Sequence, residues 1–131
     1  MEFKTILYQK EGKNFAIVHS LDGYDEISLT SPFKVFTQLK ENLYEPEKLG
    51  FRTLSQSELF GGDTVAEAAD IFMKIIQGEG TEAQNQVIMI NAGMAIHCAK
   101  SYTTLNDCIE LAKEILLSKK AYQTFKKFLE D

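Results

Sequence analysis

Tryptophan is absent from this sequence, and cysteine and proline occur twice each. No stretch approaches the eighteen apolar residues of a bilayer-spanning helix, so no membrane segment is expected. The start, MEFKTILYQK, carries charges at positions 2, 4 and 10 and does not read as a signal peptide. Cys98 and Cys108 are too far apart for a C-x-x-C pair, and both sit in helical patterns. They read as reduced, buried thiols of a cytoplasmic protein; a disulfide is the lesser alternative. Basic runs are lacking too. The net charge is −5, and SKKAYQTFKKF is the one modest basic cluster. That removes the main electrostatic term for nucleic-acid binding, so no nucleic-acid partner is expected. No Ser/His/Asp arrangement, Walker loop, zinc spacing or dinucleotide fingerprint is present.

What remains is a globular composition. Hydrophobic residues make up 44% and charged residues 25%, with nine Phe and five Tyr as bulky core material. A chain of 131 residues suits one domain.

The pattern changes near residue 60. Before it come short apolar runs and turns. Residues 2–10 fit helical spacing through Phe3, Ile6 and Leu7, and alternation through Phe3, Thr5 and Leu7. EGKN at 11–14 is a turn. FAIVHS, Phe15 to Ser20, is a nearly continuous apolar run that suits a strand covered on both faces, with parallel neighbours. FKVFTQL at 33–39 and NLYE at 42–45 flank a Lys40-Glu41 turn and predict a β-hairpin, with Asn42 available for an unusual backbone angle. PEKLG and SQSELF each predict a single helical turn. After Gly61 the pattern is helical throughout. Thr64 with Glu67 and Thr81 with Gln84 form capping boxes at the first two helix starts. Stripes at Leu105, Cys108, Ile109, Ala112, Ile115 and Leu116, and at Ala121, Tyr122, Phe125, Phe128 and Leu129, predict two more helices. The expected architecture is α/β: one buried strand plus a β-hairpin, followed by about four helices. One strand and one hairpin make a poor sheet alone, which implies that part of a larger α/β sheet is absent.

The candidates for chemistry centre on LDGYDEIS, directly after the strand. In open α/β sheets ligands bind beyond the carboxyl ends of strands. Mg²⁺ takes oxygen ligands, often one or two carboxylates with water and substrate phosphates. Adjacent Asp25 and Glu26 could supply that pair, with Gly23 allowing a sharp turn. Read locally, a solvated acidic turn is the competing reading and the default. His19 and His97 read first as structural histidines. Asn91, set between VIMI and AGMAI, needs hydrogen-bond partners and is expected to brace a neighbouring loop. Gly93 suits close helix packing. GGD at 61–63 offers a helix start of the phosphate-cradling kind, but a simple cap explains it as well, and Asp63 would repel an anion.

VHSLDGYDEISLTSPFKV resembles the segment of anthranilate phosphoribosyltransferases with the pattern HG-x-DG-x-DE-[IL]-[ST] after a strand and before a hairpin. LYEPEKLGF is similar to the family stretch that follows. SELFGGDTVAEAADIFMKIIQG and TEAQNQVIMINAGMAIHCAK resemble its GGD and N-A-A helices. The resemblance runs from about residue 2 to the C-terminus. It implies that residues 1–131 are the C-terminal part of the α/β domain that binds phosphoribosyl pyrophosphate. The N-terminal helical domain and the first part of the α/β domain are then absent, and residues 2–10 form a helix. It also implies transfer of a phosphoribosyl group to anthranilate in tryptophan biosynthesis. Mg²⁺ is the implied cofactor, and Asp25 and Glu26 are its ligands; Asp22 belongs to the same motif without binding the metal. The DGYDEIS motif points away from the related nucleoside phosphorylases. Two departures are mild: Ser20 stands where glycine is usual, and Gly93 where alanine is frequent. A larger one is that the family's GTGGD loop, its KHGNR segment and the arginine that contacts anthranilate have no counterpart here.

Three expectations follow. The chain is a fragment of that enzyme and inactive alone. Alternatively, it is a free-standing module that binds Mg²⁺-phosphate or a partner chain. As a consequence of truncation, its exposed strand edges and apolar helix faces would promote self-association.

Overall fold

The computed structural model describes residues 14–100 and 102–130. The expected helix at 2–10 lies outside them, as does most of the 11–14 turn. Three strands, β1 (Ala16–Ser20), β2 (Phe33–Thr37) and β3 (Glu41–Tyr44), form a sheet in the order β1-β2-β3. Both pairings are antiparallel, with Val18 opposite Val35 and Phe33 opposite Tyr44. Parallel neighbours for the apolar run are therefore not found among the described residues. β1 pairs with the hairpin instead, and Ala16 to His19 are only partly buried.

Period-two patterning sets the inner face of β2. Phe33 and Val35 are buried, and the alternating Lys34 and Phe36 are partly exposed. The Phe33 and Tyr44 rings stack with centroids 5.4 Å apart. The hairpin turns two residues earlier than its sequence suggests. The Thr37 amide donates to the Lys40 carbonyl at 2.9 Å, and the Thr37 hydroxyl does so at 3.1 Å, so Gln38 and Leu39 make the turn. Glu41 and Asn42 both lie in β3, and Asn42 pairs with Val35 without a left-handed angle. The side chain of Thr37, able to imitate a backbone partner, outweighed the asparagine.

Single helical turns follow at Pro46–Leu49, ended by left-handed Gly50, and at Gln56–Leu59. Four helices complete the chain: α1 (Val65–Ile76), α2 (Glu82–Ala99), α3 (Leu105–Leu117) and α4 (Lys120–Glu130). Both capping boxes form as read. The Glu67 amide donates to Thr64 Oγ1 and the Gln84 amide to Thr81 Oγ1, each at 3.2 Å. Thr104 caps α3 in the same way, accepting from the Asp107 amide at 3.2 Å. No described helix is long and apolar enough to cross a membrane.

The core joins the sheet to α2 and α3. Ile27, Leu29, Phe33, Val35, Leu54, Ile90, Met94 and Ile109 form one buried cluster. α1 and α4 contribute no buried residue to it and meet each other through the edge-on Phe72 and Phe125 rings, 5.0 Å apart. α2 and α3 approach closely where Gly93 faces Ile109. A Cβ at Gly93 would stand 2.8 Å from Ile109 Cγ1 and 2.9 Å from Ile109 Cα.

Gly93→Ala should therefore destabilise the fold. Alanine gains up to about 1 kcal/mol in helix propensity. Overpacking costs about 1–3 kcal/mol, and here part of the clash is with backbone, which no rotamer change relieves. A lower urea midpoint is expected, and a midpoint at or above that of the parent chain would contradict the close approach.

Candidate functional site

β1 ends on a serine, and its strand path stops there because the loop folds back on it. The Leu21 amide donates to the Pro32 carbonyl at 2.9 Å, and the Gly23 amide to the Ser20 carbonyl at 3.0 Å. Gly23 has φ of 104°, a conformation that side chains with a Cβ rarely adopt. Asp22 is consumed in this turn. Its carboxylate accepts from the Thr30 hydroxyl and, at 2.9 Å, from the Ser31 hydroxyl. Slight desolvation raises the Asp22 carboxyl, but Thr30, Ser31 and its own backbone amide together outweigh that and hold it below the usual aspartate range. Asp22 is a turn-forming residue.

Asp25 and Glu26 differ from it in engagement, not in exposure. All three are exposed, but neither the Asp25 nor the Glu26 carboxylate has a hydrogen bond or ion pair with another described residue. Immediately after them the chain dives inward, for Ile27, Ser28 and Leu29 are all buried. Asn91 on α2 meets this descent as expected of it. Its Oδ1 accepts from the Ile27 amide at 3.0 Å, and its Nδ2 donates to the Ile27 carbonyl at 2.8 Å. Nδ2 also donates to the Val87 carbonyl at 2.9 Å, so the amide group is fully engaged. Leu29 has φ of 60°, a costly angle for a branched side chain. Complete burial of its side chain and a 2.9 Å bond from the Leu54 amide to its carbonyl hold it there.

The donor set of Asp25 and Glu26 fits a hard cation. Two adjacent, unengaged carboxylates are what Mg²⁺ takes from a protein when water and phosphate complete its shell. Among the described residues no group of three or more His, Cys, Asp or Glu could hold a metal ion, so the pair would act with outside ligands.

The other candidates take structural places. His19 lies in β1 opposite Lys34, one residue before the loop. His97 Nδ1 donates to the Thr103 carbonyl at 2.7 Å, which ties the end of α2 to the next turn. Cys108 is buried and Cys98 partly so, both as free thiols. The GGD start is filled from within. The Glu67 carboxylate accepts from the Asp63 amide at 2.7 Å and the Thr64 amide at 3.2 Å, which leaves no nest for an anion. A cavity of about 300 Å³ lies at the opposite end of the sheet, among Ala16, Thr37, Asn42, Met94 and His97, away from the acidic loop.

The sequence reading missed the hydroxyl groups. Ser20, Ser28, Thr30 and Ser31 surround the loop from inside and tie it to Asp22. The available signal was the hydroxyl-rich run ISLTS directly after the carboxylates.

Asn91→Ala would leave the Ile27 amide and carbonyl without their partners. A loss of about 1–3 kcal/mol is expected, with faster exchange of the Ile27 amide measured by NMR. Unchanged protection of that amide would show that Asn91 does not hold the loop.

Residues 2–122 match the family described as "Glycosyl transferase family, a/b domain". The anthranilate phosphoribosyltransferase of Bacteroides fragilis strain YCH46 is 50% identical over 126 residues, spanning 96% of this chain and 38% of that protein. That of Flavobacterium johnsoniae is 49% identical over 129 residues, spanning 95% of this chain and 37% of its own length. The chain thus spans little more than a third of the curated relatives it matches. Two solved structures share the fold. Anthranilate phosphoribosyltransferase from Thermus thermophilus superposes with a TM-score of 0.85 at 24% identity, over 96% of this chain and 38% of that one. The Saccharomyces cerevisiae enzyme in complex with PRPP and Mg superposes with a TM-score of 0.73 at 20% identity, over 88% of this chain and 33% of that one. The matched family covers the sheet, the acidic loop and the helices through α3, and the chain belongs to that glycosyl transferase family, within its a/b domain.

Proposed function

We propose that this chain is the C-terminal part of the α/β domain of an anthranilate phosphoribosyltransferase. Its contribution is the carboxylate pair Asp25 and Glu26, which holds Mg²⁺ at the pyrophosphate of phosphoribosyl pyrophosphate. The observation that carries this reading is the contrast within one loop: Asp22 is tied into the turn, while Asp25 and Glu26 are exposed and unengaged on a backbone held from below. The relatives' names supply the reaction, phosphoribosyl transfer to anthranilate. A bound Mg²⁺ would neutralise charge that builds on the departing pyrophosphate. Asp25 and Glu26 would hold and orient that ion. The chain has no counterpart of the GTGGD and KHGNR segments or of the anthranilate-contacting arginine, so it lacks the groups that would place both substrates.

The chain by itself is accordingly inactive. Purified 131-residue protein should give no phosphoribosyl anthranilate from phosphoribosyl pyrophosphate, anthranilate and Mg²⁺, and measurable turnover would overturn the fragment reading. The alternative is a free-standing Mg²⁺-phosphate or protein-binding module. Titration calorimetry with Mg²⁺ and phosphoribosyl pyrophosphate separates the two. Saturable heat with phosphoribosyl pyrophosphate that disappears in the Asp25→Asn, Glu26→Gln double variant supports the module, whereas the fragment holds the divalent cation without retaining phosphoribosyl pyrophosphate.

A second property is favoured by the helices. Val65 is 88% exposed, Phe72 44%, Phe128 75% and Leu129 67%, which leaves apolar faces on α1 and α4 uncovered. We propose that the isolated chain self-associates through them. Light scattering should read a mass that grows with concentration, and a constant monomer mass would contradict it.

A further inference from the structure

The peptide that carries Glu26 into the core is held by two side chains in a crossed arrangement. The first peptide unit offers the Glu26 carbonyl and the Ile27 amide. The second offers the Ile27 carbonyl and the Ser28 amide. Asn91 takes the amide of the first and the carbonyl of the second, at 3.0 and 2.8 Å. Ser20 takes the other two: its hydroxyl donates to the Glu26 carbonyl at 2.8 Å and accepts from the Ser28 amide at 3.3 Å. All four polar groups of the two units are thus satisfied by side chains. Neither unit can rotate without breaking a bond at each end.

Ser20 is suited to this by its place. It is the last residue of β1 and fully buried, so the sheet fixes its Cα and packing fixes its side chain. Its hydroxyl also begins a chain. The Ser28 hydroxyl lies 3.2 Å from Ser20 Oγ and 2.7 Å from Thr30 Oγ1, and Thr30 donates to the Asp22 carboxylate. Four contacts, from the Glu26 carbonyl through Ser20, Ser28 and Thr30 to Asp22, share three hydroxyl protons. Ser20 gives its proton to a carbonyl and Thr30 gives its own to a carboxylate, since neither acceptor has one to return. The Ser28 proton serves Ser20 and Thr30 in turn. An ionised Asp22 anchors one end, and the peptide of Glu26 is the other.

We propose that Ser20 is a positioning residue for Glu26: by clamping the Glu26–Ile27–Ser28 backbone with Asn91, its hydroxyl holds the Glu26 carboxylate ready for a divalent cation. This rests on the cation-binding reading of Asp25 and Glu26 given above. Groups that orient metal ligands from behind contribute to affinity without touching the ion.

The test uses the full 131-residue chain, its Ser20→Ala variant and, as a second variant that keeps the side-chain shape, Ser20→Cys. Amide exchange by NMR reads the clamp, and relaxation enhancement on titration with Mn²⁺ alone reads cation binding. Both variants should speed exchange of the Ser28 amide roughly tenfold, as loss of a buried hydrogen bond does. Both should weaken Mn²⁺ binding by about tenfold, while retaining saturable binding. Unchanged Ser28 exchange would overturn the clamp itself. Faster exchange with unchanged Mn²⁺ affinity would make Ser20 a structural residue and overturn its positioning role. No Mn²⁺ binding by the parent chain would overturn the cation reading and the positioning role with it, and the exchange data would still report on the clamp.

Discussion

The two-point bond between Asn91 and Ile27 is the constraint on which the rest of the site depends. It joins residues 64 positions apart and couples the longest helix to the peptide just past the acidic pair. Without it a segment entering the core between Glu26 and Ser28 would carry buried polar groups with no ladder to satisfy them. Strands satisfy such groups with one another. Here a helix side chain does so, and the loop is freed from sheet geometry just after two exposed carboxylates.

The packing around this bond has the same logic. Gly93, two residues beyond Asn91, lets α3 lie close against α2, and Ile109 joins the same buried cluster as Ile27 and Leu29. The left-handed Leu29 is tolerated because its side chain is fully buried and its carbonyl is bound by Leu54. Strain at one residue is therefore offset by burial and hydrogen bonding nearby, and it sits three residues from Glu26. The hydroxyls of Ser20, Ser28 and Thr30 fill the space between loop and strand with polar contacts, and an apolar filling could not have satisfied the turning backbone.

The helices were legible from their caps. Threonine followed three residues later by Glu or Gln marks a helix start because both partners lie within one turn, and both such boxes formed. Asn91 was legible as a brace because a polar amide inside an apolar helix must find partners. The hairpin turn was misread by two residues, since two short strands of similar composition can pair in more than one register and the Thr37–Lys40 hydrogen bonds decided it. The antiparallel partner of β1 was not legible either, because a short apolar run says how much burial it needs and not which edge supplies it.

Local chemistry in the sequence determined the helix starts, the acidic loop and the family motif, all of which depend on residues a few positions apart. Which carboxylates are engaged depended on the fold. Asp22 meets Thr30 and Ser31 only once the loop closes, and Asp25 and Glu26 stay free because the peptide after them is drawn inward by Asn91 and Ser20. Three similar exposed acidic side chains thus became one turn anchor and one unengaged pair, because hydrogen-bond donors reached only the first of them.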